Sequence, residues 1–252
     1  MTQELIKEFY GERLLVFGHR GARAYAPMNT IPSFELALAQ GADGVELDVR
    51  LTLDGEMIIM HDERVDATTD AKGLVHEMPL REIKELDAGK WFDPKYAGTR
   101  VPTLDEVFEA IGKRTKINVE IKSDTTDETG VEEKVADAIR RHGLARTIIV
   151  SSFNPITLAR FRQVMPEVLI GFLHEPDNEA VTIPMMADLP HEARNPYYEE
   201  IDAKYMAWAK GAGYRVNTWT VNDPAKAVEL RDLGVDCIIT DKPDVILAAV
   251  RA

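Results

Sequence analysis

Two pairs of charged residues stand two positions apart in apolar surroundings: Glu46 with Asp48 in GVELDVRL, and Glu120 with Lys122 in NVEIK. In an extended chain, residues i and i+2 share one face. Val45, Leu47, Val49 and Leu51 take the opposite face of the first stretch. Two histidines end or follow apolar runs, His19 in FGHRGA and His61 in MIIMHD. If these polar faces converge, three carboxylates share one small volume and repel one another unless neutralised. One divalent cation resolves that repulsion, and an all-oxygen donor set favours Mg²⁺ or Ca²⁺ over Zn²⁺. Arg20 and Lys122 suit an anion instead, because a guanidinium matches phosphate in geometry. An imidazole titrates near neutral pH and can act as general acid or base. Cation, two basic side chains and two histidines together describe cleavage of a phosphoryl ester. The metal polarises the phosphoryl oxygen, the basic groups hold its charge, and one histidine protonates the leaving alkoxide.

Something must bring these residues together. Strand-like segments recur along the chain: RLLVFG, GVELDVRL, KINVEIK, RTIIVSSF, VLIGFLHE, RVNTWTV and DCIITD, with a weaker candidate at EARNPY. Amphipathic helical segments alternate with them, among them TIPSFELALAQG, EEKVADAIRRHG, PITLARFRQVM, DAKYMAWAKGAG, DPAKAVELRDLG and PDVILAAV. Strand–helix alternation means parallel strands with crossover helices. Eight such strands close a (β/α)8 TIM barrel, for which about 250 residues is usual. An open doubly wound sheet is the alternative, but no G-x-G-x-x-G follows the first strand. The rhythm breaks once. Residues 53–101 carry prolines, glycines and short helix-like pieces such as PLREIKEL, and read as a small, mostly helical insertion capping one end of the barrel. Thr52 to Gly55 reads as the exit into this insertion rather than as a hairpin turn. TLDEVFEAIG then supplies the delayed crossover helix, with Thr103 as N-cap. Barrel chemistry sits at the C-terminal strand ends. His19, Arg20, Glu46, Asp48, Glu120, Lys122, Ser151, Ser152, Asn217, Trp219, Thr240 and Asp241 fall there, with His61 just beyond the second strand.

Composition narrows the rest. The chain has 252 residues and a net charge of -13. That charge argues against nucleic acid, whose phosphates need a basic surface, and against adsorption to anionic membrane. A small anionic substrate stays compatible if the site is locally positive. Cys237 is the single cysteine, so no intrachain disulfide forms, which fits a reducing compartment. No basic-then-apolar signal segment opens the chain, and no apolar run reaches the ~20 residues needed to span a bilayer. A soluble cytoplasmic protein without stable membrane association is expected. A homo-oligomer stays open.

The ordered motifs resemble those of the glycerophosphodiester phosphodiesterase family. The family's H-R-G is His19-Arg20-Gly21, its P-E-N-T is PMNT at 27–30, and its G-A-D-x-x-E-x-D-V is GADGVELDV at 41–49. TLDG at 52–55, His61-Asp62, LDAGKWF, VPTLDEV, NVEIK, SSF, WTVN and ITDKPD follow in order, so the likeness runs from about Leu14 to Val250. It implies a barrel with an inserted small segment. It also implies metal ligation by Glu46, Asp48 and Glu120, acid–base roles for His19 and His61, and phosphate binding by Arg20 and Lys122. The implied activity releases sn-glycerol 3-phosphate and an alcohol from glycerophosphodiesters. The nucleophile is either water or the substrate's own glycerol hydroxyl. A lysophospholipid or phosphoinositide ester is the alternative substrate and would call for an apolar entrance, toward which Trp91, Phe92 and Tyr96 contribute. Two departures stand out: Met28 replaces the family glutamate, and Ala67 stands where an arginine is frequent.

Plainer readings sit beside these. His76, His142, His174 and His191 read as structural or solvated. Glu120 with Lys122 could be a simple salt bridge. Ser152 is a substrate contact or only a cap for the next helix, and Trp219 an aromatic wall beside the substrate or core. Asp241 reads as a cap for the last helix, Cys237 as a small buried hydrophobe, and Arg50 as a partner in a salt bridge within the barrel.

Overall fold

The computed structural model describes residues 2–123, 125–177 and 179–252. Among them, nine strands are present: β1 (Leu15–His19), β2 (Gly44–Leu51), β3 (Met57–Ile59), β4 (Lys116–Ile121), β5 (Ile148–Ser152), β6 (Leu169–His174), β7 (Ala193–Pro196), β8 (Arg215–Thr218) and β9 (Cys237–Thr240). All except β3 run parallel, and the pairing of β1 with both β9 and β2 closes them into a barrel of eight strands. The expected (β/α)8 barrel is therefore the fold, and the weak candidate at EARNPY is its sixth barrel strand, β7.

The helices are α1 (Thr2–Tyr10), α2 (Ile31–Ala39), α3 (Leu80–Ile83), α4 (Leu104–Ile111), α5 (Val131–His142), α6 (Pro155–Val164), α7 (Glu179–Met186), α8 (Ala203–Ala212), α9 (Pro224–Leu233) and α10 (Pro243–Val250). Local signals explain most of their boundaries. Thr103 caps α4 in a full capping box with Glu106, which satisfies two otherwise orphaned N–H groups. Gly143, Gly213 and Gly234 end α5, α8 and α9 in the left-handed conformation, the usual glycine stop. No helix among the described residues is long and apolar enough to cross a membrane.

Period two sorts side chains between two environments. Val45, Leu47 and Val49 of β2 and Ile117, Val119 and Ile121 of β4 pack outward against the helix layer. Their alternates point inside. The lower interior is apolar: Leu15, Phe17, Ile149, Leu169, Ala193, Cys237 and Ile239 pack there against Ile6, Phe9 and Tyr10 of α1. The sequence reading passed over α1. It closes this end of the barrel with one face, and the Tyr10 hydroxyl accepts a hydrogen bond from Asn217 at 3.0 Å. The upper interior is polar, and the site lies there.

Two expectations about residues 52–101 need correction. Thr52 to Gly55 does make a hairpin: Leu51 pairs antiparallel with Met57, and Val49 with Ile59. The reason is edge geometry. β1 ends at His19 opposite Glu46, so the upper part of the same β2 edge has free N–H and C=O groups, and β3 fills it. Nor is the segment mostly helical. Beyond β3 it holds three short 3₁₀ turns and the single-turn α3, joined by loops. It folds around its own cluster of Ile58, Met60, Val65, Val75, Ile83, Ala88 and Val101.

Gly44 sits where β1, β2 and β4 meet. A Cβ there would lie 2.5 Å from the Phe17 ring and 2.7 Å from the Lys116 carbonyl oxygen. Gly44→Ala is expected to destabilise the fold by about 1–3 kcal/mol through overpacking, read as a lowered thermal midpoint. An unchanged midpoint would mean that the β1–β2–β4 junction yields freely.

Candidate active site

Register brings the site together. In β2 and β4, Glu46 lies beside Asn118 and Asp48 beside Glu120, while His19 of β1 pairs with Glu46. The alternation that sends Val45 and Leu47 outward therefore aims Glu46, Asp48 and Glu120 at one point. One carboxylate oxygen from each lies within 4.8 Å of the other two, and all three residues are buried.

Such a cluster needs counter-charge. Lys122 Nζ stands 2.5 Å from Glu120 Oε1 and 3.2 Å from Asp48 Oδ1, and Arg20 Nε stands 3.2 Å from Asp48 Oδ2. Asn29 Nδ2 donates to Asp48 Oδ2 at 2.8 Å. Burial alone would raise the Asp48 pKa, but Lys122 and Arg20 outweigh it and hold the carboxyl well below the usual range. Burial works against the Lys122 charge, yet Glu120 and Asp48 push its pKa up to about 12. Three carboxylates face only two cations, and the surplus falls on Glu46. Burial, then Asp48 and Glu120, lift its pKa well above normal. Glu120 is raised as well, chiefly by burial and against the pull of Lys122.

The turn after β1 contributes backbone as well as side chains. Arg20 has φ +53°, and its N–H donates to Glu46 Oε2 at 3.0 Å. Gly21 follows at φ +84°, where a Cβ would meet Ser33 Oγ at 2.4 Å, so only glycine fits. Asn29 also takes φ +58°, a conformation asparagine tolerates better than most residues.

Both predicted acid–base histidines are backed by a carboxylate. His19 Nδ1 lies 2.7 Å from Asp241 Oδ1, and its Nε2 lies 4.0 Å from Glu46 Oε2. Burial, with Arg20 and Arg23, outweighs Asp241 and lowers the His19 pKa to about 4, so the imidazole is neutral at pH 7. His61 Nδ1 lies 2.8 Å from Asp62 Oδ1. Burial lowers its pKa too, with Asp48 opposing. Arg50 Nε donates to the His61 carbonyl at 2.8 Å. Arg50 thus braces the strand exit that carries His61.

His19, Arg20, Glu46, His61, Glu120 and Lys122 line one cavity of about 270 Å³, with Asp48 beneath them. Trp219 forms a wall with Phe153, the rings edge to face at 5.4 Å. Ser152 is elsewhere: its hydroxyl donates to the Ile121 carbonyl at 2.8 Å and accepts from the Asn154 N–H at 3.1 Å, so it braces the turn into α6. A second cavity of about 410 Å³ shares Lys122 and is lined further by Glu63, His76, Thr125 and Asp127. His142 pairs with Asp105, His174 with Glu200, and His191 with the Leu189 carbonyl.

Sequence reasoning missed four members of the site. Asp241 was read as a cap for α10, but the cap position is Lys242, which makes no side-chain cap bond. The Asp241 carboxylate goes to His19 instead. Asn29 was passed over inside PMNT, although an asparagine where φ is positive is a visible signal. Arg23 and Phe153 gave none beyond their place after HRG and SS. Met28 lies 3.3 Å from Arg20 Nη1 through its sulfur, so the guanidinium meets a neutral thioether there.

The comparisons agree with the geometry. The model of the glycerophosphoryl diester phosphodiesterase family matches residues 19–245. A glycerophosphodiester phosphodiesterase of Caldanaerobacter subterraneus subsp. tengcongensis is 40% identical over 242 residues, covering 95% of this chain and 98% of that protein. An Oleispira antarctica phosphodiesterase, solved with the product sn-glycerol-3-phosphate, superposes with a TM-score of 0.86 at 32% identity, covering 94% of this chain and 97% of that one. A glycerophosphodiester phosphodiesterase of Agrobacterium tumefaciens superposes with a TM-score of 0.81 at 31% identity, covering 93% and 99%. The chain belongs to the glycerophosphoryl diester phosphodiesterase family and is a phosphoric diester hydrolase.

The acidic cluster fits a divalent cation. Its donors are all carboxylate oxygens, and Asp48 Oδ1 is buried without a hydrogen bond. A spread within 4.8 Å suits oxygen ligands at about 2.0–2.6 Å from a hard cation. The raised carboxyls give the sign of the pH effect. Without metal, Glu46 and Glu120 favour the fold most below their unfolded pKa and lose that contribution as pH rises through their raised native values. A cation must displace those protons. At a fixed cation concentration, the stabilisation on adding Mg²⁺ or Ca²⁺ should therefore grow from pH 5 to pH 8, reaching about 2–3 kcal/mol where that concentration is 100-fold above Kd. Scanning calorimetry with and without cation checks this, and a gain that shrinks with pH would contradict it.

Proposed function

We propose that the protein hydrolyses glycerophosphodiesters, such as glycerophosphocholine and glycerophosphoethanolamine, to sn-glycerol 3-phosphate and an alcohol. One divalent cation, Mg²⁺ or Ca²⁺, would be held by Glu46, Asp48 and Glu120, with His19 and His61 as the acid–base pair. The observation that carries this reading is the convergence of three buried carboxylates and two carboxylate-backed histidines on one cavity.

When bound, the cation supplies Lewis-acid polarisation of a phosphoryl oxygen. With Glu46, Asp48 and Glu120 engaged as ligands, Arg20 and Lys122 would turn their charge to the phosphate. His19 keeps Nε2 toward the cavity because Asp241 holds Nδ1, and its neutral imidazole takes the proton of the nucleophile, either water or the glycerol hydroxyl, whose cyclic phosphate a water then opens. His61 gives a proton to the departing alkoxide. A bound phosphodiester anion favours that protonated His61 by offsetting Lys122 and Arg20, which otherwise oppose it.

Lys122 lines both cavities, so a phosphate on it can send one arm into each. The compact cavity with Trp219 and Phe153 suits the glycerol arm. The wider one, lined by Leu51, Val75 and Val131 beside Glu63, Thr125 and Asp127, has room for the alcohol arm.

Hydrolysis of glycerophosphocholine should cease with a chelator and return with Mg²⁺ or Ca²⁺. His19→Ala should lower kcat by about 10²–10⁴-fold, the range of a lost acid–base group. Activity indifferent to both changes would overturn the mechanism, and faster turnover of lysophosphatidylcholine would overturn the substrate class.

A further inference from the structure

His19 is oriented by Asp241, but something must orient Asp241. Its Oδ1 faces His19 Nδ1 at 2.7 Å, with Arg23 Nε at 3.5 Å. Its Oδ2 accepts from Asn222 Nδ2 at 2.8 Å. Asn222 Oδ1 in turn accepts from the Asp241 N–H at 2.9 Å and from Thr240 Oγ1 at 3.1 Å. Two donors on one end and a carboxylate on the other leave the carboxamide a single sensible orientation. Asn222 thus grips both the backbone and the side chain of Asp241 from the loop after β8, without itself lining the cavity that Trp219 and Thr220 of that loop wall. His61 lacks such backing: Asp62 is 42% exposed in its side chain and accepts no other side-chain hydrogen bond among the described residues.

We propose that Asn222 is a positioning residue for the reaction, acting on His19 through Asp241, and this rests on the acid–base reading of His19. With Asn222 in place, the Asp241 carboxylate cannot turn away from its present plane without leaving Asn222 Nδ2 unpaired, and the Asp241 N–H holds Asn222 itself in register. The His19 tautomer carrying hydrogen on Nδ1 follows, and Nε2 stays available to the substrate. Loss of the grip lets the imidazole wander, and supporting partners of this kind are worth about 10–100-fold where a site depends on geometry. The two histidines then differ in kind, one fixed in place and one able to adjust to the substrate.

The test uses the full-length protein and the variants Asn222→Ala and Asn222→Asp, the second nearly isosteric but without the Nδ2 donor. In both, kcat for glycerophosphocholine should fall about 10–100-fold while KM changes less than about 2-fold. Proton–nitrogen NMR of the wild type should show His19 as the Nδ1–H tautomer in a slowly exchanging hydrogen bond, assigned by its disappearance in His19→Ala. That signal should broaden or vanish in both Asn222 variants. Wild-type kcat in Asn222→Asp, or a loss confined to KM, would overturn the proposal. So would a wild-type His19 found as the Nε2–H tautomer, a result that needs no variant to fold. The spectrum also needs no turnover, so a wild type that hydrolyses no glycerophosphodiester counts against the proposed function, while the tautomer alone judges the grip on His19.

Discussion

The site turns on one imbalance of charge. Three carboxylates, Glu46, Asp48 and Glu120, are buried together with only Arg20 and Lys122 against them. Burying a charge is costly unless it is paired, and like charges at this distance raise one another's pKa. The protein meets part of the imbalance with its own cations, with Asn29 and with the Arg20 N–H. The rest appears as a proton affinity well above that of a free carboxyl on Glu46 and a raised one on Glu120. A site of that kind is built to be completed by something positive.

The barrel makes this arrangement tolerable. Its lower interior is a packed apolar plug sealed by α1, which fixes the strands and their register. Its upper interior opens into the catalytic cavity, where the same strands change from apolar to polar inward residues. The β2–β3 hairpin rises past the end of β1 and delivers His61 across from His19, and Arg50 ties that exit down. Rigid elements thus hold the carboxylates and His19, while His61 stands on a shorter and more exposed support.

Much of this was legible in the chain, for reasons that can be named. GVELDVRL announces itself because period two in a parallel barrel strand puts the acids at 46 and 48 on one face, and barrel chemistry gathers at such inward polar faces. Thr103 with Glu106 spelled out a helix start. What could not be read depended on where a strand stops. The hairpin at Thr52 to Gly55 exists because β1 is short, which the residues of β2 do not reveal. Asp241 precedes a helix and looks like its cap, and only closure of β9 against β1 carries it to His19, 222 positions away in the chain. The helix α7, with Pro184 inside it, breaks the usual pattern and was not foreseen. The stretch 53–101 packs a core of its own with almost no regular helix.

We propose that the three buried carboxylates form one divalent-cation site. Anomalous diffraction from crystals soaked in Mn²⁺, which binds like Mg²⁺ and is visible by its own scattering, tests it most directly. One strong peak is expected about 2.0–2.6 Å from an oxygen of each of Glu46, Asp48 and Glu120, absent when Asp48 is changed to Asn. No peak at that point, in crystals of a protein that hydrolyses glycerophosphodiesters in chelator, would contradict it.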